Sequence, residues 1–270
     1  MAAGVKILEQ FTMSKTGRQE TNEDRLFIND HFIAVIDGAT SKNGKTFMGK
    51  TAGQLSAQIA VEVLQELDGT ETEEIVIGRI QSAMRQWKEE FALEERGLFL
   101  CASAVIYSIE RKQIWSVGDS PYSVNGVAGK GSKKVDDVLA DARALAIQFC
   151  LLEGMTEQAL LKEDAARKMI LPFLQKQKIL ENTDGEFGFP VLNGDDRVPK
   201  IEIIDVSEGA EVILASDGYP FLEGTLKESE ERLKKIITED PLCYRQFRTT
   251  KGVREGNVSF DDRTYIRFET

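Results

Sequence analysis

The residues with the clearest chemical potential in this chain are acidic ones in five short stretches. Each stretch adjoins apolar residues that are typical of a β-strand. They are Asn22-Glu23-Asp24, Ile36-Asp37-Gly38, Gly118-Asp119-Ser120, Ser216-Asp217-Gly218 and Phe260-Asp261-Asp262. Carboxylates at strand ends are held rigidly, and several that converge cannot all stay ionised without cations between them. Because the chain has one histidine, these stretches predict a site for a hard metal ion with oxygen ligands.

Four of the stretches together predict a two-metal centre. Asp37 ends an apolar strand, where its carboxylate can bridge two divalent ions, and Gly38 lets its carbonyl turn towards one of them. Asp217 ends the apolar run 212–215 in the same way, and Asp261 precedes the last strand. Such a centre holds its ions about 3.5–4 Å apart, activates a water and clamps the oxygens of an in-line phosphoryl displacement. A single Asp-Gly is more often a turn, so the hypothesis depends on the set.

The elements that must position these residues are predicted from apolar periodicity. Strands are predicted at 26–28, 32–36, 98–109, 113–117, 122–124, 200–205, 211–215 and 264–268. Helices are predicted at 47–67, 72–90 and 226–237, with two long helices within 135–178 and a loop at 181–200. Because strands come in adjacent groups and helices in pairs, the order indicates an α+β fold with largely antiparallel sheets.

The bulk composition excludes several classes of protein. A chain of 270 residues with 41% apolar and 29% charged residues is typical of a globular protein with a sizeable core. Its net charge of −11 argues against nucleic-acid or anionic-membrane partners. Three widely spaced cysteines without a C-x-x-C pair argue against disulfides and zinc, and favour a reducing compartment. With no apolar run of about 18 residues, we expect no membrane span and a cytoplasmic location.

The order of the acidic stretches resembles that of the protein phosphatase 2C family, the metal-dependent serine/threonine phosphatases. The matching residues are Asn22-Glu23-Asp24, Val35-Ile36-Asp37-Gly38, Gly118-Asp119-Ser120, Leu214-Ala215-Ser216-Asp217-Gly218 and Asp261-Asp262-Arg263-Thr264. The resemblance, to a divergent bacterial-type member, runs from about 18 to 268. It implies two packed antiparallel β-sheets flanked by helices on both outer faces. We expect one domain over 1–270, with a divergent, mainly helical insert at about 126–200.

The resemblance also implies Mn²⁺ or Mg²⁺ as cofactor, as two ions with a third, weaker ion in some members. The implied ligands are Glu23, Asp24, Asp37, Gly38, Asp119, Asp217 and Asp261. Asp37 would bridge the two ions, and Gly38 would contribute its carbonyl. Asp217 and Asp261 would complete the shell of the first ion.

The remaining implied ligands have looser roles. Glu23 and Asp24 would serve the second ion, directly or through water, and Asp119 with Asp217 would hold the third. Two adjacent aspartates compete at the last stretch. Thr264 sets the register of the family pattern, which favours Asp261 over Asp262 as the ligand.

The chain departs from the family at two catalytic positions. Where many relatives have a histidine assigned as general acid, this chain has Ala39, so the general acid has no candidate side chain. The family places a phosphate-binding arginine five residues before the aspartate of its first motif, whereas Arg18 lies six before Asp24. A one-residue bulge would give Arg18 that catalytic role.

These observations favour a metal-dependent phosphomonoesterase that hydrolyses phosphoserine and phosphothreonine with a two-metal-activated water. Its substrate would be a phosphorylated protein or a small phosphoester. The alternatives are a pseudophosphatase that acts as a regulatory interaction module, and a phosphatase of small phosphorylated metabolites. A phosphate-binding loop at 38–46 is disfavoured, because five residues rather than four separate Gly38 from Gly44.

Overall fold

Two five-stranded antiparallel sheets form the centre of the protein in the computed structural model, which describes residues 4–270. The first sheet has the order β1 (Lys6–Met13), β12 (Arg263–Glu269), β11 (Glu211–Ala215), β8 (Tyr122–Val124) and β9 (Val127–Gly129). The second has the order β10 (Glu202–Asp205), β7 (Gln113–Val117), β6 (Ala102–Ser108), β3 (Phe32–Gly38) and β2 (Arg25–Ile28). A small hairpin contains β4 (Thr46–Phe47) and β5 (Lys50–Thr51).

Strand β3, which lies between β6 and β2, is buried on both of its faces, which explains its continuous apolar sequence. Ile33 and Val35 point to the interior between the sheets, where they share a core with Leu214 and Ile266 of the first sheet. Phe32 and its alternate neighbours face the other way, into a core shared with the outer helices. A strand that packs on both faces has one fixed register, so the residue at its end is placed firmly.

Helices cover the outer faces of both sheets. Over the second sheet lie α1 (Ala52–Glu66) and α2 (Glu73–Glu90). Over the first sheet lies α6 (Leu226–Glu239), whose Leu233 packs against Ile213 and Tyr265. The predicted class, two packed antiparallel sheets flanked by helices on both outer faces, is therefore confirmed.

A third group of helices packs into cores of its own. It contains α3 (Lys134–Leu152), α4 (Glu157–Lys162) and α5 (Ala165–Lys176). The prediction of two long helices here was wrong: beyond the turn at Gly154, with a φ of +96°, the chain turns again before Ala165 and forms a third helix. Across residues 4–270, no helix combines the length and the apolar character that a bilayer span requires.

The first helix begins five residues later than predicted, because the β4–β5 hairpin precedes it. Met48 and Gly49 form its turn with φ values of +50° and +75°, which a helix cannot continue through. Thr51 then starts α1 with a capping box: its side chain accepts from the Gln54 N–H, and the Gln54 side chain accepts from the Thr51 N–H. This hairpin also separates Gly38 from α1, so the chain lacks the loop-to-helix junction of a phosphate-binding loop.

Candidate metal centre

The ends of three strands bring carboxylates to one cavity. Asp37 lies at the end of β3, Asp217 lies two residues after β11 and Asp261 lies two residues before β12. All three line the same cavity, together with Asp119, which follows β7. The Asp217 N–H donates to Asp37 Oδ2 at 3.4 Å, which joins the two sheets at this point. The structure thus assembles four of the sequence-predicted residues from strands that are far apart in the chain.

The acidic cluster consists of Glu23, Asp24, Asp37, Asp119, Asp217, Asp261 and Asp262. Its half around Asp24 and Asp37 is short of positive charge. Asp24 is 2% exposed, and its Oδ2 has no hydrogen-bond partner among residues 4–270. Burial raises the pKa of Asp24 to about 8, and the charges of Asp262 and Asp261 act in the same direction. Burial and the Asp217 charge raise the pKa of Asp37 well above its ordinary value. A cation placed here would relieve this repulsion.

Lysine ammonium groups occupy the other half. Lys15 Nζ lies 3.2 Å from Glu23 Oε2, 3.3 Å from Asp261 Oδ1 and 3.4 Å from Asp262 Oδ2. Lys251 Nζ pairs with Asp261 Oδ2. Burial alone would raise the pKa of Asp261, but Lys251 and Lys15 hold it well below its usual range. Burial would likewise lower the pKa of Lys15, yet the three carboxylates hold it above the ordinary lysine value.

Asp262 has a structural role that distinguishes it from Asp261. Its Oδ1 accepts from the Lys15 N–H at 2.7 Å and from Ser14 Oγ at 3.1 Å. Its Oδ2 accepts from the Glu23 N–H at 3.0 Å. The Asp262 carboxylate therefore ties the chain before β2 to the chain before β12. Because Asp261 is itself paired with Lys15 and Lys251, the preference for Asp261 over Asp262 as the ligand stays a prediction.

Backbone and side-chain oxygens converge where two glycines meet. A Cβ at Gly38 would lie 2.2 Å from the Gly53 carbonyl oxygen. A Cβ at Gly53 would lie 2.7 Å from the Gly38 carbonyl oxygen, 2.9 Å from that of Ala39 and 2.9 Å from Glu23 Oε1. The first turn of α1 can therefore approach the end of β3 only because both residues lack side chains.

The donor set suits a hard divalent cation. Every candidate ligand is an oxygen, and a buried oxygen of Asp24 has no partner among residues 4–270. Burial and like charges raise the pKa of Asp37 and, to about 6, that of Asp217. Within the part of the chain that the structure describes, however, no three His, Cys, Asp or Glu side chains are arranged to close around one ion. The oxygen ligands therefore suit a divalent ion chemically. The charges of Lys15 and Lys251 also belong to the site.

Of two basic residues that precede β2, the sequence singled out Arg18 and not Lys15. Arg18 has a side chain that is 68% exposed, and it pairs with Glu20 at 4.0 Å; it does not line the Asp37 cavity. Lys15, three residues earlier, was missed and reaches the cluster. The sequence offered one indication, since Lys15 follows a strand end closely, as the carboxylates do.

Comparison with known proteins places the fold. No family model matches the chain, and no curated protein matches it. Among solved structures, the chain resembles the catalytic domain of the serine threonine protein phosphatase PstP in complex with 2 manganese ions, with 16% identity, a TM-score of 0.53 and 98% of each chain covered. The chain has a serine/threonine phosphatase fold.

Two further structures support the same conclusion. The serine/threonine phosphatase PstP/Ppp of Mycobacterium tuberculosis has 15% identity and a TM-score of 0.51. PppA, a key regulatory component of T6SS in Pseudomonas aeruginosa, has 13% identity and a TM-score of 0.51. Both alignments cover 98% of this chain and 98% of the other. The structural likeness establishes the shared fold. At such low identities, the chemistry has to be argued from this chain's own residues.

Proposed function

We propose that this protein is a Mn²⁺- or Mg²⁺-dependent phosphomonoesterase that hydrolyses phosphoserine and phosphothreonine. The observation that carries the proposal is the meeting of Asp37, Asp217 and Asp261, from three strand ends, in one cavity. The fold is that of a structure solved with two manganese ions, PstP, which supports the same ion in this site. The substrate is a phosphorylated protein or a small phosphoester.

The groups in the cavity would have separate roles in metal binding and phosphate binding. A bound divalent ion would supply a Lewis acid that activates water and neutralises charge on the phosphoryl group. Asp37 and Asp217 would hold that ion, because their carboxylates lie together and repel each other without it. Lys42 and Arg167, which also line the cavity, would bind the phosphate oxygens by charge-assisted hydrogen bonds.

The cavity offers no histidine to protonate the leaving group. The chain's one histidine, His31, lies in the β2–β3 turn beside Gly69 and does not line the cavity. Ala39, at the position where many relatives have a histidine, lines the cavity. Its methyl side chain cannot donate a proton. The enzyme should therefore prefer esters with good leaving groups, such as p-nitrophenyl phosphate, over alkyl phosphates.

Substitution of Asp37 tests the proposal. Asp37→Asn should lower kcat on p-nitrophenyl phosphate and on a phosphothreonine peptide by about 100-fold or more, since it removes charge that holds the catalytic ion. The measurement is steady-state kinetics with added Mn²⁺. The exposed Asp184 in the loop after α5 supplies the control, because Asp184→Asn should keep wild-type turnover.

Several outcomes are informative. Wild-type turnover in Asp37→Asn would show that the site is wrong. A wild-type protein that turns over no phosphoester with any divalent ion would instead be a regulatory pseudophosphatase. Turnover of small phosphoesters without turnover of phosphopeptides would assign a metabolite substrate.

A further inference from the structure

Lys15 brings a positive charge into the centre of the acidic cluster. Its ammonium group contacts three carboxylates, those of Glu23, Asp261 and Asp262, and donates to Thr40 Oγ1 at 2.8 Å. An ammonium group has three N–H donors, so these four oxygens use all of them. Ligation by several oxygens from different parts of the chain is also how a protein binds a metal ion.

The backbone of Lys15 is fixed on both sides, so the ammonium group is positioned in advance. Its N–H donates to Asp262 Oδ1 at 2.7 Å. Its carbonyl accepts from the Val258 N–H at 2.8 Å. The side chain itself is 17% exposed. Because the side chain is largely shielded from water, the ion pairs of Lys15 are screened less than those of a surface lysine.

The two halves of the cluster differ in how their charge is balanced. Glu23 is satisfied by Lys15 and by two hydroxyl groups, those of Thr40 and Thr51, each at 2.6 Å. In contrast, Asp24 Oδ2 has no partner among the described residues, and Asp37 has the Asp217 N–H at 3.4 Å. One half already contains a cation that belongs to the protein, whereas the other half requires one from solution.

We propose that Lys15 is a resident cation that takes the place of one of the two divalent ions. In the resting protein, a single divalent ion binds on the side of the cluster where Asp37 and Asp217 line the cavity. A second ion can be held by Glu23 and Asp261 only when the Lys15 ammonium group leaves. This inference rests on the proposed function, because it assumes that the cluster binds a divalent ion.

Counting bound metal tests the inference without measuring activity. Wild-type protein and Lys15→Met are dialysed against Mn²⁺, and the metal bound per chain is determined by mass spectrometry and isothermal titration calorimetry. We expect one tightly bound ion in the wild type and two in Lys15→Met. Lys15→Arg, which keeps the charge, should bind one.

Thermal unfolding gives a second, independent result. In EDTA, Lys15→Met should unfold at a lower Tm than the wild type, because Glu23, Asp261 and Asp262 lose their counter-ion. Mn²⁺ should then raise its Tm more than that of the wild type, by about 3 °C or more. If the variant folds only with Mn²⁺, the inference is equally supported, whereas failure to fold with Mn²⁺ overturns it.

Lys227→Met is the matched control. This lysine is 82% exposed, pairs with Glu231 within α6, and lines neither the cavity of Asp37 nor the one beside Lys15, so both the ion count and the Mn²⁺ response should stay at wild-type values. Two equivalent ions in the wild type, with the same number in Lys15→Met, would overturn the inference and leave the proposed function intact. A lower Tm with an unchanged ion count would show a purely structural role. If neither protein binds Mn²⁺, the proposed function is wrong as well.

Discussion

At the scale of single residues, the carboxylates were predictable and the lysines were not. Asp37, Asp217 and Asp261 each stand at the boundary of an apolar run, and a strand end fixes the position of its last side chain. Lys15 and Lys251 come from loops, and their long side chains reach the same carboxylate from opposite ends of the sequence. Nothing in local sequence spacing encodes such a meeting, which depends on the closed fold.

The glycine contact beside the cluster gives a prediction about packing. Gly53→Ala should destabilise the protein by about 1–3 kcal/mol, because its Cβ would lie 2.7 Å from the Gly38 carbonyl oxygen. Gly78, an exposed residue in α2 with nothing within 4 Å of a Cβ, is the control. Gly78→Ala should stabilise by about 0.5–1 kcal/mol through helix propensity. Urea unfolding measures both, and equal effects would contradict the described contact.

At the scale of elements, apolar periodicity predicted most strands and helices, but not the long-range contacts that hold them in place. The strands at 113–117, 122–124 and 211–215 were predicted with the bounds that the structure gives. β1 (Lys6–Met13) was missed, since its half-buried residues do not alternate clearly between apolar and polar. It becomes a strand through its pairing with β12. Tertiary pairing of this kind overrides weak local preference.

The helical group α3–α5 depends on one buried arginine. Arg143 is 0% exposed, and its guanidinium donates to Asp164 Oδ2 at 2.7 Å and to the Leu242 carbonyl at 2.8 Å. Arg143→Met should cost about 3–5 kcal/mol, because it leaves the Asp164 charge and a buried carbonyl without a partner. The measurement is the free energy of unfolding in urea.

An exposed ion pair nearby supplies the comparison. Arg248 pairs with Asp141, and the two side chains are 50% and 66% exposed. Arg248→Met should change the free energy of unfolding by less than about 1 kcal/mol. A similar small effect in Arg143→Met would mean that the buried pair does not anchor the helices.

At the scale of the whole molecule, the order of elements and the order of motifs predicted the architecture together. The order of strands and helices indicated α+β, and the family resemblance supplied the two packed sheets. That residues 126–200 form an insert stays a prediction, as does the ligand set. The net charge of −11 acts on the same scale, since an acidic chain that gathers carboxylates in one cavity must balance them.

This imbalance predicts how stability depends on pH. In the folded protein without metal, the pKa of Asp24 is raised to about 8 and that of Asp217 to about 6. The folded state therefore binds more protons than the unfolded state between about pH 4 and pH 8, and stability must fall as the pH rises through that window. Urea unfolding in EDTA at pH 6 and pH 8 should show this loss.

Two comparisons make the pH experiment specific. Saturating Mn²⁺ should reduce the loss, because the ion binds the deprotonated carboxylates. Asp24→Asn should flatten the dependence in EDTA, since it removes a group whose pKa is raised to about 8. Equal or greater stability at pH 8 in EDTA would contradict the described charge balance.

The ladder between β1 and β12 has a consequence for biosynthesis. Thr12 and Thr264 face each other across it, 252 positions apart in the chain. A ribosome must therefore release the chain as far as β12 before this sheet can close, and contacts between such distant segments form slowly. Lys15 follows the first of these strands, while Asp261 and Asp262 precede the second. A nascent chain thus has no assembled site until β12 has been translated, and a product that stops before residue 261 should be inert.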